Sequence, residues 1–435
     1  MSVRGTLVVA LAPVLLIPLV RVQSAQAHTT TYQPARGHIT MYVRTAASFQ
    51  LAVAQLRSTG GTIVLLGHTY SNQLRVGPRS SRLLDIVGTR RARVRSILLD
   101  HTRSVRIRRL RIRAMNADGG IDASYSQALV FSRLSVSAVD TRQRVQVDLD
   151  HSSHVRIEHS RFAHCGDNTK RFVACILPRW ASSVSITDNR FHDCFGCDFI
   201  GGRAGPSLVI SHNRFMRALA CPQAWIKCSH SDLIEMFNAD GMLVSRNVFG
   251  VNQRGGAQLY LAISTDHVLV KNNLFLRRDP RVPSVRPHVG ILVGTKFSLR
   301  VPHDVTIVNN TIMSGFPKAD HDAQSIVLSP HYGGGVAPRN RPLIANNILA
   351  RQLQPRLVCP RVRVSRDNVV EQGTACRATD VVGDPMLNSR DRPTASSTLV
   401  IDKADPVLAP RLDLLGHRRV GPPDIGAYEF VPAGS

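Results

Sequence analysis

Through the middle of the chain, short runs of alternating apolar and polar residues keep ending on the same few letters. Val184-Ser-Ile-Thr-Asp-Asn189-Arg-Phe191 is followed by Leu208-Val-Ile-Ser-His-Asn213-Arg-Phe215, Met242-Leu-Val-Ser-Arg-Asn247-Val-Phe249 and Val268-Leu-Val-Lys-Asn-Asn273-Leu-Phe275. Val305-Thr-Ile-Val-Asn-Asn310-Thr-Ile312 and Pro342-Leu-Ile-Ala-Asn-Asn347-Ile-Leu349 continue the series, and a weaker copy ends at Asn368-Val-Val370. Upstream, Val155-Arg-Ile-Glu-His-Ser160-Arg-Phe162 and the run from Leu129 to Leu134 keep the phase without the Asn. Alternation is the period of a strand with one buried face. Asn tolerates left-handed backbone angles and bonds neighbouring peptide groups, so it is expected to turn the chain at a corner. The large apolar residue two positions later restarts burial in a new direction. Each phrase therefore predicts strand, corner, strand.

From Asn189 the corners follow at intervals of 24, 34, 26, 37, 37 and 21 residues, by difference of their numbers. Units that recur at such spacing bury their apolar face only by stacking on the next unit, which is the signature of a solenoid. Helical repeats would place apolar residues every three to four positions, and these segments do not. The pattern predicts an all-β chain, a single-stranded right-handed parallel β-helix in which length variation falls in loops. Thr62–Leu66, Leu83–Val87, Val94–Leu99 and Val105–Ile112 are expected to form the first coils.

The repeated phrase resembles the pectate-lyase-like right-handed parallel β-helix family. Ala46 to Tyr70 resembles the short helix and "GGT-hydrophobic-G-x-Y" strand that open such domains, and Asp413 to Phe430 (DLLGHRRVGPPDIGAYEF) resembles a closing segment of secreted β-helix proteins. The resemblance spans about residues 40–430. It implies the fold; because that fold carries lyases, hydrolases, epimerases and non-enzymatic proteins alike, the chemistry has to be argued from residues.

Residues 1–27 read as a secretory signal peptide: Arg4 gives the positive start, Leu7 to Val20 the apolar core, and Ala25-Gln-Ala27 a small-residue cleavage site. Pro13 and Pro18 break an apolar run already too short to span a bilayer, and no other stretch could cross one. Residues 28–44 are expected to be an irregular lead-in, and residues 45–376 a β-helix opened by a helix over Thr45–Arg57 that plugs its N-terminal end. Residues 377–435 lose the repeat and are expected to form an irregular C-terminal cap. A secreted monomer is expected.

Charge narrows the partner. The chain has 55 Lys and Arg against 30 Asp and Glu, a formal net charge of +25. A field of that sign attracts anionic partners. Export and the scarcity of aromatic stacking platforms speak against nucleic acid and for an acidic polysaccharide. Eight cysteines in an exported chain are expected to pair. Cys221 with Cys228 and Cys359 with Cys376 each bracket a loop. Cys165, Cys175, Cys194 and Cys197 permit Cys165–Cys194 with Cys175–Cys197, or Cys165–Cys175 with Cys194–Cys197. A redox role for Cys194-Phe-Gly-Cys197 lacks the surrounding βαβ pattern; a zinc site with His192 or His230 is the alternative use of these sulfurs.

Candidate chemistry concentrates upstream of the corners. Asp198, Asp232 and Gln258 stand 15 residues before Asn213, Asn247 and Asn273, which predicts a stack on neighbouring coils roughly 5 Å apart. Stacked carboxylates bind a cation such as Ca²⁺ or push one pKa upward. His230 shares the alternation of Asp232, whereas Glu235 falls on the opposite one and is expected at a bend or buried with a partner. His230-Ser-Asp-Leu-Ile-Glu235 resembles the "His-x-Asp-Gly-Ile-Gln" phrase of β-helix strands, with Leu233 and Glu235 departing from it. Arg179 and Arg203 lie ten residues before their corners and could hold substrate carboxylates bidentately. No Gly-rich phosphate loop, nucleophile elbow or His-Glu-x-x-His motif is present. The resulting expectation is a lyase of uronic-acid polymers. Asp198, Asp232, His230, Glu235 and Lys227 would be its catalytic set, Gln258, Arg203, Arg179 and Tyr260 its substrate contacts, and Asp198 and Asp232 the Ca²⁺ ligands. The alternatives are a glycoside hydrolase on the same fold and a non-catalytic glycan-binding or cell-envelope protein.

Overall fold

The computed structural model describes residues 38–78, 82–114, 120–138, 145–166, 173–219, 231–252, 256–277, 289–294, 298–314, 324–333, 336–352 and 359–432. Within them the chain winds as a right-handed parallel β-helix with three sheets of 13, 13 and 10 strands. One coil shows the order. Ser182–Thr187 lies in the first sheet, Arg190–Phe195 in the second and Asp198–Arg203 in the third, before Leu208–Ser211 re-enters the first. Each strand pairs in parallel with its equivalents one coil away, as Val184 with Leu208, Phe191 with Phe215 and Ile200 with Ile234. Inward residues of all three sheets form one continuous apolar core. Within it Phe162, Phe191, Phe215, Phe249 and Phe275 stack face to face, with ring centroids 4.9, 4.9, 5.2 and 4.4 Å apart.

The corner between the first and second sheets works differently from the sequence expectation. The left-handed residue is the one before the Asn: Asp188, His212, Arg246, Asn272, Asn309, Asn346 and Asp367 have φ between 50° and 58°. The Asn that follows is buried and serves as a polar link between coils. Asn213 Oδ1 accepts the backbone N–H of Asn189 at 2.9 Å and its side-chain N–H at 3.1 Å, and Asn247 does the same for Asn213. The chain of links starts where Ser160 accepts the Leu134 N–H and ends at Asp380, which accepts from Asn368. An amide side chain suits this position because it accepts and donates at once, leaving no buried backbone group stranded at the turn.

At the N-terminal end, the last part of the expected lead-in, Thr40–Val43, is a strand paired with Gly61–Leu65. Helix α1 (Ala46–Gln55) starts at a Thr45–Ser48 capping box and packs Phe49 and Ala52 onto the strands around it. Val94–Leu99 and Val105–Ile112 each divide at a corner, the second at Arg109, whose φ is 54°. Beyond Val381–Val382, which extend the second sheet, the C-terminal segment runs back along the corner edge. Asn272 donates to Leu412 O, Asn309 to Asp424 O and Asn346 to Asp405 O. Ile425, Val400 and Ala404 join Ile348 and Val369 in a small apolar cluster of their own.

Cys359 is bonded to Cys376, as expected, and the inner quartet is paired as Cys165–Cys175 and Cys194–Cys197. Cys221, Cys228 and the proposed signal peptide lie outside the described residues. Among the described residues no helix is long and apolar enough to cross a membrane.

Candidate functional site

The third sheet brings three of the singled-out carboxylates together. Ile200, Ile234 and Leu259 are in register, which puts Asp198 and Asp232 at equivalent positions where successive coils enter this sheet. Asp198 Oδ1 accepts the N–H of Asp232 at 2.7 Å, and Asp232 Oδ1 accepts the N–H of Ala257. Each carboxylate thus caps the first amide of the coil above it. Glu235, on the opposite alternation, is aligned with Gly201 below and Tyr260 above. Even so, an oxygen from each of Asp198, Asp232 and Glu235 lies within 4.8 Å of the other two, and all three residues are only 2–3% exposed.

Burying carboxylates this close together requires an offsetting positive charge or proton. The donors are all hard oxygens, the class preferred by Ca²⁺ and Mg²⁺. Ligands held about 2.3–2.6 Å from one Ca²⁺ can be up to about 5 Å apart, so the observed separation fits a shared cation. Asp198, Asp232 and Glu235 would be its protein ligands.

The other candidates are placed differently. Gln258 is out of the stack: its Cα neighbour one coil below is Leu233 rather than Asp232, and Ala257 takes the expected position. The connection from Leu259 to Leu269 is one residue longer than that from Ile234 to Leu243, so counting back from the corner slips by one. Gln258 is buried, and its Nε2 donates to Gly250 O at 2.6 Å. Asp232 is buried as well. Tyr260 is half-buried beside Glu235, with its ring edge-on to Phe237 at 6.4 Å. Arg179 and Arg203 are Cα partners on successive coils, as their spacing predicts. Arg179 is already committed to Asp148 through Nε–Oδ1 at 2.9 Å and Nη2–Oδ2 at 2.7 Å, whereas Arg203 lies 5.8 Å over the Trp180 ring. Lys227 and His230 lie outside the described residues. Both ring nitrogens of His192 are engaged, by Asp193 and Arg161, and the four nearby cysteines are paired with one another.

The structure also pairs two carboxylates outside the expected set. Asp122 and Asp148 are Cα partners on adjacent strands of the third sheet. Burial pushes Asp148 up to about 6; Arg179 opposes that rise, and Asp122 and Asp150 add to it. Asp122 is raised as well, again chiefly by burial. The signal was available, because the two aspartates stand at the same distance before Leu134 and Ser160.

Residues 95–275 match the family described as "Right handed beta helix region". No curated protein matches the sequence. Among solved structures, the chain is similar to PfbA, a surface adhesin of Streptococcus pneumoniae, at TM-score 0.34 and 10% identity over 58% of this chain and 88% of that one. It is also similar to the PL6 family alginate lyase AlyGC, at TM-score 0.39 and 12% identity over 86% of this chain, and spans 59% of that enzyme's length. The Agl-KA catalytic domain matches at TM-score 0.43 and 10% identity, over 81% of this chain and 68% of that one. At these identities the likeness concerns the β-helix fold alone.

Proposed function

We propose that this protein acts outside the cytosol on an acidic polysaccharide, as a lyase of uronic-acid polymers centred on Asp198, Asp232 and Glu235. The observation that carries the reading is the convergence of those three buried carboxylates, from two successive coils, beside the half-buried Tyr260. The net charge of +25 favours an anionic polymer. Paired cysteines agree with an oxidising compartment.

In β-elimination a base removes the proton next to a uronate carboxylate, and positive charge must stabilise the enolate that develops. A bound Ca²⁺ would supply neutralisation of that carboxylate. Lys227 and His230, in the segment that leads into Asp232, are the candidate bases. Arg203 and Tyr260 are the candidate contacts that orient the sugar. The test is incubation of the purified protein with alginate, pectate and glycosaminoglycans, with and without chelator. Ultraviolet absorbance from unsaturated products, lost on chelation, is expected. Retention on a polymer with no product would replace the lyase with a binding protein.

A second reading is favoured by Asp122 and Asp148. A carboxyl with its pKa raised to about 6, beside another on the neighbouring strand, suits the acid and base of a glycoside hydrolase. New reducing ends without ultraviolet absorbance would select it.

A further inference from the structure

We infer that the outer face of the second sheet, over Arg161, Arg190, Arg214 and Arg217, is a binding track for a linear anionic polysaccharide, separate from the carboxylate site on the third sheet. The inference takes its ligand class from the acidic-polysaccharide reading and depends on no chemistry at the third sheet.

Register builds the track. Arg93, Arg111, Ser135, Arg161, Arg190 and Arg214 occupy one position on six successive strands of the second sheet, and all are exposed. Adjacent strands lie about 4.8 Å apart, and like charges placed directly opposite one another are destabilising. Several arginines elsewhere are neutralised internally. Arg106 and Arg108 converge on Asp85, Arg179 on Asp148, and Arg419 on Glu429. Among the described residues, Arg190 and Arg214 have no carboxylate partner. The strands of this sheet from Arg93 to Leu219 contain one acid, Asp193, which is buried and held by His192 and Arg217.

The row opens into a cleft of about 470 Å³ lined by Arg161, Arg190, Arg214, Arg217, His192 and Asp193. Arg161 is oriented there by a 2.6 Å contact between its Nε and His192 Nε2. Guanidinium forks match carboxylate and sulfate geometry. Forks on three successive coils, Arg161, Arg190 and Arg214, suit a polymer charged at every sugar better than a single small anion. Phe191, the aromatic residue at the cleft, is locked in the core stack between Phe162 and Phe215, so among the described residues lining the cleft it offers no ring face to a nucleic-acid base.

The experiment uses the full chain and immobilised polygalacturonate eluted with a salt gradient. In the Arg190→Ser/Arg214→Ser double variant, Ser takes the place it already holds at Ser135, so the sheet should accept it. At least a tenfold loss of affinity and a shallower salt dependence are expected. The control Arg103→Ser/Arg300→Ser removes the same charge from exposed positions elsewhere and should bind as wild type. Unchanged retention of the first variant, or an equal loss in the control, would overturn the track. Equal competition by duplex DNA would overturn the polysaccharide as its ligand. Asp232→Asn should still be retained, which separates this test from the fate of the third-sheet reading. Loss of turnover on a short oligouronate in the double Ser variant would show that the two surfaces are one site.

Discussion

Asn309 and Asn310 are adjacent in sequence and do opposite jobs. Asn309 holds the left-handed turn at φ 50°, and its side chain donates outward to Asp424 O at 3.0 Å. Asn310 turns inward, accepts the Asn273 N–H at 2.9 Å, and donates to Val270 O at 3.0 Å and to Asn347 Oδ1 at 3.0 Å. The pairs Asn272–Asn273 and Asn346–Asn347 repeat this division: the first Asn of each pair binds the C-terminal segment, Asn346 also donating to Asn309 Oδ1, and the second forms the buried link between coils.

The two positions should therefore respond unequally to mutation. Asn310→Ala strands buried donors and acceptors on both neighbouring coils, at about 1–3 kcal/mol for each unsatisfied group. Asn309→Gly keeps the turn and loses the bonds its Nδ2 donates to Asp424 O and Gly426 O and the one its Oδ1 accepts from Asn346, fewer than Asn310 makes, so a smaller loss of about 1–2 kcal/mol is expected. Asn310→Ser should fall between them, because Ser160 already plays the part for Leu134 at 3.0 Å. Denaturant midpoints check this order. If Asn310→Ala is no worse than Asn309→Gly, the buried links contribute nothing net.

The solenoid was legible because two periods coincide: alternation within strands, and one polar residue per coil whose neighbours must match it. Those constraints are local and repeat, so they survive loops of unequal length. Register beyond the loops is not local. One extra residue between Leu259 and Leu269 moved Ala257 into the place assigned to Gln258, and nothing in the strands themselves announces that slip. The inward turn of Glu235 toward Asp198 and Asp232 was open for a similar reason, since alternation gives a face but not a depth. The corner Asn departs from the sequence expectation for a different reason. Its capacity for left-handed angles is real, but the buried position needs its amide more, and the turn falls to whichever residue precedes it.

At Asp232 acceptor and charge can be separated. Asp232→Asn keeps an oxygen for the Ala257 N–H, so its melting temperature should stay near wild type. Asp232→Ala removes that acceptor from a buried site and should be destabilised by about 1–3 kcal/mol. Ca²⁺ should raise the melting temperature of the wild type, as any ligand of the folded state does, and should leave Asp232→Asn unmoved. A wild-type transition insensitive to Ca²⁺ would remove the cation from the site.

Asp148 makes a prediction about pH. Its folded pKa of about 6 lies above the ordinary value of 3.8. The folded state therefore holds a proton that the unfolded state has lost between those two values, and this group's contribution to stability falls as pH rises from about 4 to 6. Above that window the ionised, buried carboxylate remains a net burden despite Arg179. Asp148→Asn should melt higher than wild type at pH 7.5, with the advantage gone by pH 4. A lower melting temperature at pH 7.5 would mean that the Arg179 ion pair outweighs burial.

Cysteine pairing can be read directly. Peptide mapping without reduction should find Cys165–Cys175, Cys194–Cys197 and Cys359–Cys376. Closing a loop of 17 residues, the last bridge should stabilise by roughly 3 kcal/mol. Peptides joining Cys165 to Cys194 would reverse the assignment in the quartet.

The C-terminal segment gives the last prediction. Arg419 has only 3% of its side chain exposed; it pairs with Glu429 at 3.0 Å and donates to Gly426 O at 2.8 Å and to Asn272 Oδ1 at 3.1 Å. It thus ties two parts of the segment to each other and to a corner residue of the β-helix. Arg419→Ala leaves Glu429 buried without its cation, a change worth about 3–5 kcal/mol. Each coil depends mainly on its neighbours, so the damage should stay local. Limited proteolysis should then cut the variant within residues 384–432 while the coils remain resistant, and the wild type should be protected in both regions. Asn272→Ala, which removes the bonds to Arg419 and Leu412 O and leaves the ion pair, should loosen the segment less. If Arg419→Ala is as protected as wild type, the apolar contacts of Val400, Ile425 and Tyr428 hold the segment without it.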